Sequence, residues 1–189
     1  MYTLRISFTL LLLLAPVFLF GQQKMDGLVW AKDVLSWEHF HKKSYTGEGK
    51  GIAATYMKML VEVADSVNDL HKVEVKIYAL MIPGLSYVRK GYQTSGTLAH
   101  ESMHFNILEV FARRLRKELL TMEFDKKTYK KQIERLRRKN WTAVEKAHKQ
   151  YDKTHRQKEG GHDWWVVDIN NSLEELSAYA DPVISVVVN

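Results

Sequence analysis

His100 and His104 stand four residues apart with Glu101 between them, in a segment running from Leu98 to Phe105. On a helix this spacing sets both imidazoles one turn apart on one face, where they can share a Zn2+ ion. Glu101 is rotated off that stripe but stays within reach of a water on the ion. A carboxylate so placed takes the proton as the water attacks a carbonyl and passes it to the leaving amine. The His-Glu-x-x-His spacing therefore points to metal-assisted hydrolysis of an amide, with His100 and His104 as ligands and Glu101 as general base and acid. The plain alternative is two core histidines satisfied by hydrogen bonds to their neighbours.

The spacing needs a helix, and the flanking residues supply its signals. Thr94, Ser95 or Thr97 can cap, and Gly91 and Gly96 break what precedes. From there His100, His104, Leu108, Phe111, Leu115 and Leu119 recur at helical spacing, so the histidines share an apolar stripe that faces the interior. A second, longer helix is predicted after Asp125, with Tyr129, Ile133, Leu136, Asn140, Val144, Ala147 and Tyr151 on its inner face. Trp165, Ile169, Leu173 and Leu176 mark a third, ended by Asp181-Pro182.

Catalytic zinc takes three protein ligands and leaves a position open. His155 is the first choice for the third, because it continues the second helix's inner face through His148, Tyr151 and Asp152. An antiparallel pair of helices would return that end toward the start of the first. His162 is the runner-up. Glu118 lies about four turns beyond His104 on the same helix and cannot fold back to the same ion. Glu123 would require an immediate chain reversal. Glu109 is off the histidine stripe and is expected to be solvated or to sit behind the ligands. Tyr151 is expected in the core, with hydrogen bonding to an oxyanion as its alternative role.

Upstream, Val73 to Met81 alternates and is rich in β-formers, so it reads as a strand. Pro83-Gly84 is a turn, and Leu85 to Val88 is a second short strand leading to the helix, where a sheet edge could hold an extended substrate. Ile52 to Tyr56 reads as a strand, with Met57 to Val63 open between strand and helix. Leu35, Trp37 and Phe40 pack as a short amphipathic piece, Lys42 to Lys50 reads as an exposed loop, and Val183 to Val188 is a β-prone tail able to join the sheet.

Residues 1–21 have the plan of a signal peptide, with a short basic start, a leucine-rich run from Ile6 to Phe20, and a small residue, Gly21, before polar ones. Cysteine is absent, which excludes disulfides, thiolate ligands and a cysteine nucleophile. An apolar content of 46% with five tryptophans is enough for a core. The net charge of +6 is concentrated in Arg113 to Lys117 and Lys126 to Lys139, read as solvated helix faces. No nucleic-acid reader motif is present.

Taken together, residues 99–105 with Glu109 and the basic run Arg113 to Lys117 resemble a bacterial family of predicted secreted zinc-dependent proteases, a domain of formally unknown function. Leu35-Ser36-Trp37, Ala53-Ala54-Thr55 and Ser86-Tyr87-Val88 are similar to its upstream patterns. Tyr151-Asp152 with Thr154-His155, then Trp165 and Ile169, resembles its downstream Tyr-Asp and Thr-x-His-Gly region. In this chain Thr154 and His155 are adjacent and Arg156 stands where a glycine is common, so His162 stays open beside His155. The likeness runs from about Leu35 to Leu176.

The resemblance implies a secreted metallopeptidase. The expectation is thus an α+β fold, zincin-like, with a small N-terminal sheet packed against two or three helices and the motif on the first long helix. Residues 22–189 would form one domain, exported to the periplasm or beyond, with no membrane span once the signal is removed. It would hold Zn2+ through His100, His104 and His155 and hydrolyse a peptide or protein substrate, with no nucleic-acid partner. The rival from another class is an exported binding or scaffolding protein with a structural metal or none, docking on an anionic surface through its basic helices.

Overall fold

A computed structural model describes residues 27–45, 51–68, 71–157 and 161–189. The expected signal peptide at 1–21 lies outside the described residues, as do positions 46–50 of the expected loop.

The fold is α+β, built on β5 (Lys72–Met81), the longest strand. Val73, Val75, Ile77, Ala79 and Met81 are buried in alternation, so one face of the strand turns to the core. β4 (Met57–Val63) pairs antiparallel with β5 from Met57↔Met81 to Val63↔Val75. The segment left open between helix and strand is therefore a strand. The other edge of β5 carries β8 (Val183–Val188) at one end and β1 (Leu28–Val29) at the other. β7 (Glu123–Phe124) adds in parallel to β8, completing five strands. The C-terminal tail thus joins the sheet beside the chain's middle. In a smaller sheet, β6 (Tyr87–Arg89) pairs in parallel with β2 (Lys42–Tyr45) and antiparallel with β3 (Ala53–Ala54).

Three helices complete the fold, α1 (Ser95–Leu120), α2 (Tyr129–Gln157) and α3 (Gly161–Glu175); α1 and α2 pack against the sheet and α3 packs on the other two helices. Thr94 is the N-cap of α1, its side chain accepting from the Thr97 amide at 3.1 Å. α1 is buried on two faces. Phe105, Leu108, Ala112, Leu115 and Leu119 pack with the sheet residues, while Met103, Ile107 and Val110 pack with Tyr151 of α2 and Trp165 and Ile169 of α3. This double burial makes α1 the rigid spine of the molecule, and the histidine pair lies near its start. No helix among the described residues is long and apolar enough to cross a membrane.

The basic run on α1 meets the expectation of a solvated face only in part: Arg114 and Lys117 are exposed. Arg113 and Arg116 are buried, Arg116 with only 2% of its surface exposed. Glu109, also buried, receives Arg113 Nε at 2.9 Å and Arg116 Nη1 at 3.0 Å. Arg116 further donates to the carbonyls of Ile77 at 2.6 Å and Tyr179 at 2.9 Å, and Arg113 to that of Leu173 at 2.7 Å. Glu109 is thus not solvated; it anchors a buried cluster joining α1, β5, α3 and the chain after α3.

Candidate metal centre

His100 and His104 project from the first third of α1 toward α2, which crosses it and presents His148, Tyr151 and Asp152. His100 Nε2 and His104 Nε2 are 3.3 Å apart, and each lies 3.2 Å from Asp152 Oδ1. Ligand atoms in a tetrahedral zinc site with bonds of about 2.0–2.1 Å lie about 3.3 Å apart, so this triangle has the size of one face of such a site. Two imidazoles and a carboxylate are also a donor set suited to zinc. Among the described residues, His100, His104 and Asp152 form a cluster that could hold a metal ion.

The charges fit that use. Burial opposes ionisation of Asp152, but hydrogen bonds from His100 and His104 outweigh it and hold the carboxyl well below the usual carboxylate range. His104 Nδ1 lies 2.9 Å from His148 Nδ1. With an ion in place of the Nε2 hydrogens that Asp152 accepts in the metal-free chain, His104 would carry its hydrogen on Nδ1, donate it to His148 and turn its Nε2 lone pair to the ion. His148 is suited to accept because burial first, and then the neighbouring His104, pull its pKa down to about 3, leaving the ring neutral. Tyr151 is fully buried beneath the pair, stacked on His100 at 4.9 Å and edge-on to His104 at 4.9 Å. Burial pushes its hydroxyl above the usual phenol range, and the Asp152 and Glu101 carboxylates push it the same way. Tyr151 therefore sits in the core, as expected, and serves as the floor that fixes both rings.

Glu101 is buried on the neighbouring face of α1. Its Oε2 accepts from the Thr55 amide and from the Thr55 hydroxyl, each at 2.8 Å. Those two bonds lock the carboxylate between α1 and the chain joining β3 to β4. His100, Glu101, His104, His148 and Asp152 line one open cleft of about 700 Å³, walled by residues 51–57, the start of α1 and Trp141 of α2. Apart from Glu101 and Asp152, this wall is uncharged, and much of it is small or apolar.

Residues 92–161 match the model of a family described as a bacterial protein of unknown function (DUF922). The matched stretch contains both histidines, Glu101, His148 and Asp152, and it supports the likeness to a bacterial family of unknown function read from the sequence. No curated protein and no solved structure matches the chain.

Of the anticipated site residues, His100, Glu101 and His104 come together at the cleft. The side chains of His155, near the end of α2, and of His162, in the first turn of α3, lie outside the described residues. Glu118 is on the far part of α1, 3.3 Å from Lys139, and Glu123 bonds to Asn189 at 2.8 Å, both away from the cluster as reasoned. Sequence reasoning placed Asp152 on the inner face of α2 without offering it as a ligand. The signal available was its spacing of four from His148, which puts a second pair of metal-capable side chains on one helix face.

Proposed function

We propose that this protein is a zinc-dependent peptidase in which His100, His104 and Asp152 hold the ion and Glu101 moves the proton. The observation that carries the reading is the triangle of two imidazole nitrogens and one carboxylate oxygen, set in an open cleft beside a buried glutamate from the same helix. Bound zinc supplies Lewis acidity, polarising a carbonyl and acidifying water. Glu101 accepts the proton from the attacking water and delivers it to the leaving nitrogen. Thr55 holds one oxygen of that carboxylate, which limits its rotation and keeps the base aimed along one path. His148 keeps His104 in the tautomer that leaves Nε2 bare, and Tyr151 prevents the His100 ring from turning away. The uncharged wall suits a peptide with small or apolar side chains around the scissile bond. The apolar run from Ile6 to Phe20 supports export as the setting for this activity.

The test is elemental analysis of the purified chain as wild type, Asp152→Ala and His155→Ala, followed by assays with quenched peptides. About one zinc per chain, lost in Asp152→Ala and kept in His155→Ala, is expected. Loss in His155→Ala alone would return the third position to that histidine. Glu101→Gln should keep the metal and lose about 10²–10⁴-fold in turnover, the usual scale for a general base. A wild type that binds zinc yet cleaves no peptide would instead favour a structural ion.

A further inference from the structure

The charge of this chain is gathered on one helix. α2 carries ten lysines and arginines against three acids, a balance of +7, while the whole chain nets +6, so everything else sums to −1. Within α2 the cations are not spread evenly. Lys131, Arg135, Arg138, Lys146, Lys149 and Lys153 are all exposed and, with Thr142 between them, recur at spacings of four, three, four, four, three and four. That is a single stripe about 33 Å long. It lies opposite the buried face formed by Ile133, Asn140, Val144 and Tyr151.

An ordinary solvated helix face mixes signs, because opposite charges three or four apart help the helix and like charges there oppose it. Along the stripe every charged residue is a cation, and the acids Glu134 and Glu145 stand on its flank. Among the described residues, only Arg138 of the six has a carboxylate at ion-pair distance, Glu134 at 2.8 Å. The helix therefore keeps a ridge of cations that its own folding does not use.

We propose that the outer face of α2 is a docking surface for an anionic phospholipid bilayer. A straight row of point charges, broken only at Thr142, complements a flat anionic plane. Four of the six are lysines, which serve as strongly hydrated charges without the fork geometry of arginine. The stripe contains no aromatic ring on which a nucleic-acid base could stack. Docking also sets the cleft in a useful place. His148 and Asp152 each stand one residue before a ridge lysine, about a quarter turn around the helix. With the ridge on the bilayer, the cleft opens sideways along the surface, toward chains displayed there. This docking is independent of the peptidase reading and would hold for a protein without catalysis.

Sedimentation with vesicles tests it, using the chain from Gln22 onward, which contains every described element. Wild type should bind vesicles of equal parts phosphatidylglycerol and phosphatidylcholine, ignore pure phosphatidylcholine, and be released between about 0.05 M and about 0.5 M salt. Each lysine near such a surface contributes about a fivefold affinity, so Lys146→Gln/Lys149→Gln/Lys153→Gln should bind about a hundredfold more weakly. Lys131→Gln/Arg135→Gln/Arg138→Gln should fall in the same direction, and Lys58→Gln/Lys72→Gln/Lys90→Gln, all off the helix, should stay near wild type. Matched melting temperatures exclude unfolding as the cause, and either ridge triple suffices if the other is unstable. The proposal is overturned if wild type binds anionic and neutral vesicles alike, or if the ridge triples bind as tightly as the off-helix triple. It is equally overturned if duplex DNA is held in salt that leaves anionic vesicles unbound.

Discussion

His148 touches the cluster without belonging to the triangle, and its role is separable from that of the ligands. Its Nδ1 lies 2.9 Å from His104 Nδ1, and a hydrogen shared between them would set the tautomer and the ring angle of His104. His148→Ala should leave the three donor atoms in place and weaken zinc about 10–100-fold, the usual cost of losing an orienting partner. Competition against a coloured chelator reads this directly, and unchanged affinity would show that packing against Tyr151 alone orients His104. The same residue marks where sequence reading stops. His100, Glu101 and His104 were legible because one helix fixes their relative positions through its 3.6-residue period, and a good capping signal at Thr94 announces that helix. Asp152 was not, because 48 residues separate it from His104 and its approach depends on how α2 crosses α1. No local periodicity encodes that crossing.

At the level of elements, the α+β plan and the strand read at Val73 to Met81, observed as Lys72–Met81, were readable from alternation, and the three helices from their apolar stripes. In the basic run on α1, Arg114 and Lys117 are exposed as expected, but Arg113 and Arg116 were misread because charge is ordinarily a surface property, whereas Glu109 and a set of backbone carbonyls give them buried partners. The cluster makes a prediction about the clamp between α1, β5 and the segment after α3. Arg116→Met should destabilise the fold by about 3 kcal/mol, because Glu109 is left partly uncompensated in the interior and the Ile77 carbonyl loses its donor. Glu109→Gln/Arg116→Met should recover part of that loss in urea denaturation; an additive double variant would mean the two side chains act independently. On the surface of α2, hydrogen bonds from Arg137 and then Arg138 pull the Glu134 carboxyl down to about 2. A lowered folded pKa means the unfolded chain takes up protons first. The stabilisation is therefore present above the ordinary glutamate pKa of about 4.3 and fades as pH falls through about 2. The group is well exposed, so solvent screening limits the effect to a few tenths of a kcal/mol. Glu134→Gln should flatten the stability profile of the chain by that amount between those limits and leave it unchanged in slope near neutrality.

Over the whole molecule, the proposed metal site and the core are built on different foundations, and chelation should separate them. The triangle ties α1 to α2 through Asp152, and a bound ion would add a link between two helices already in contact. The core does not pass through that link. One apolar cluster joins α1 to the sheet and another joins α1, α2 and α3 through Met103, Ile107, Tyr151 and Trp165. Removing a ligand present at about a hundredfold over its dissociation constant withdraws about 2.7 kcal/mol from the folded state. For a chain of this size each kcal/mol corresponds to about 2–4 °C in melting temperature. Chelation should therefore lower the melting temperature by about 5–10 °C while the near-ultraviolet circular dichroism of the buried aromatic residues persists at room temperature. His104→Ala should melt at the lowered temperature from the start and show no further response to chelator. Complete unfolding on chelation would mean that the ion, and not the two clusters, holds α2 in place. A melting temperature indifferent to chelator in the wild type would mean that the triangle is closed by hydrogen bonds alone, with Asp152 accepting from both rings, and the peptidase reading would lose its foundation.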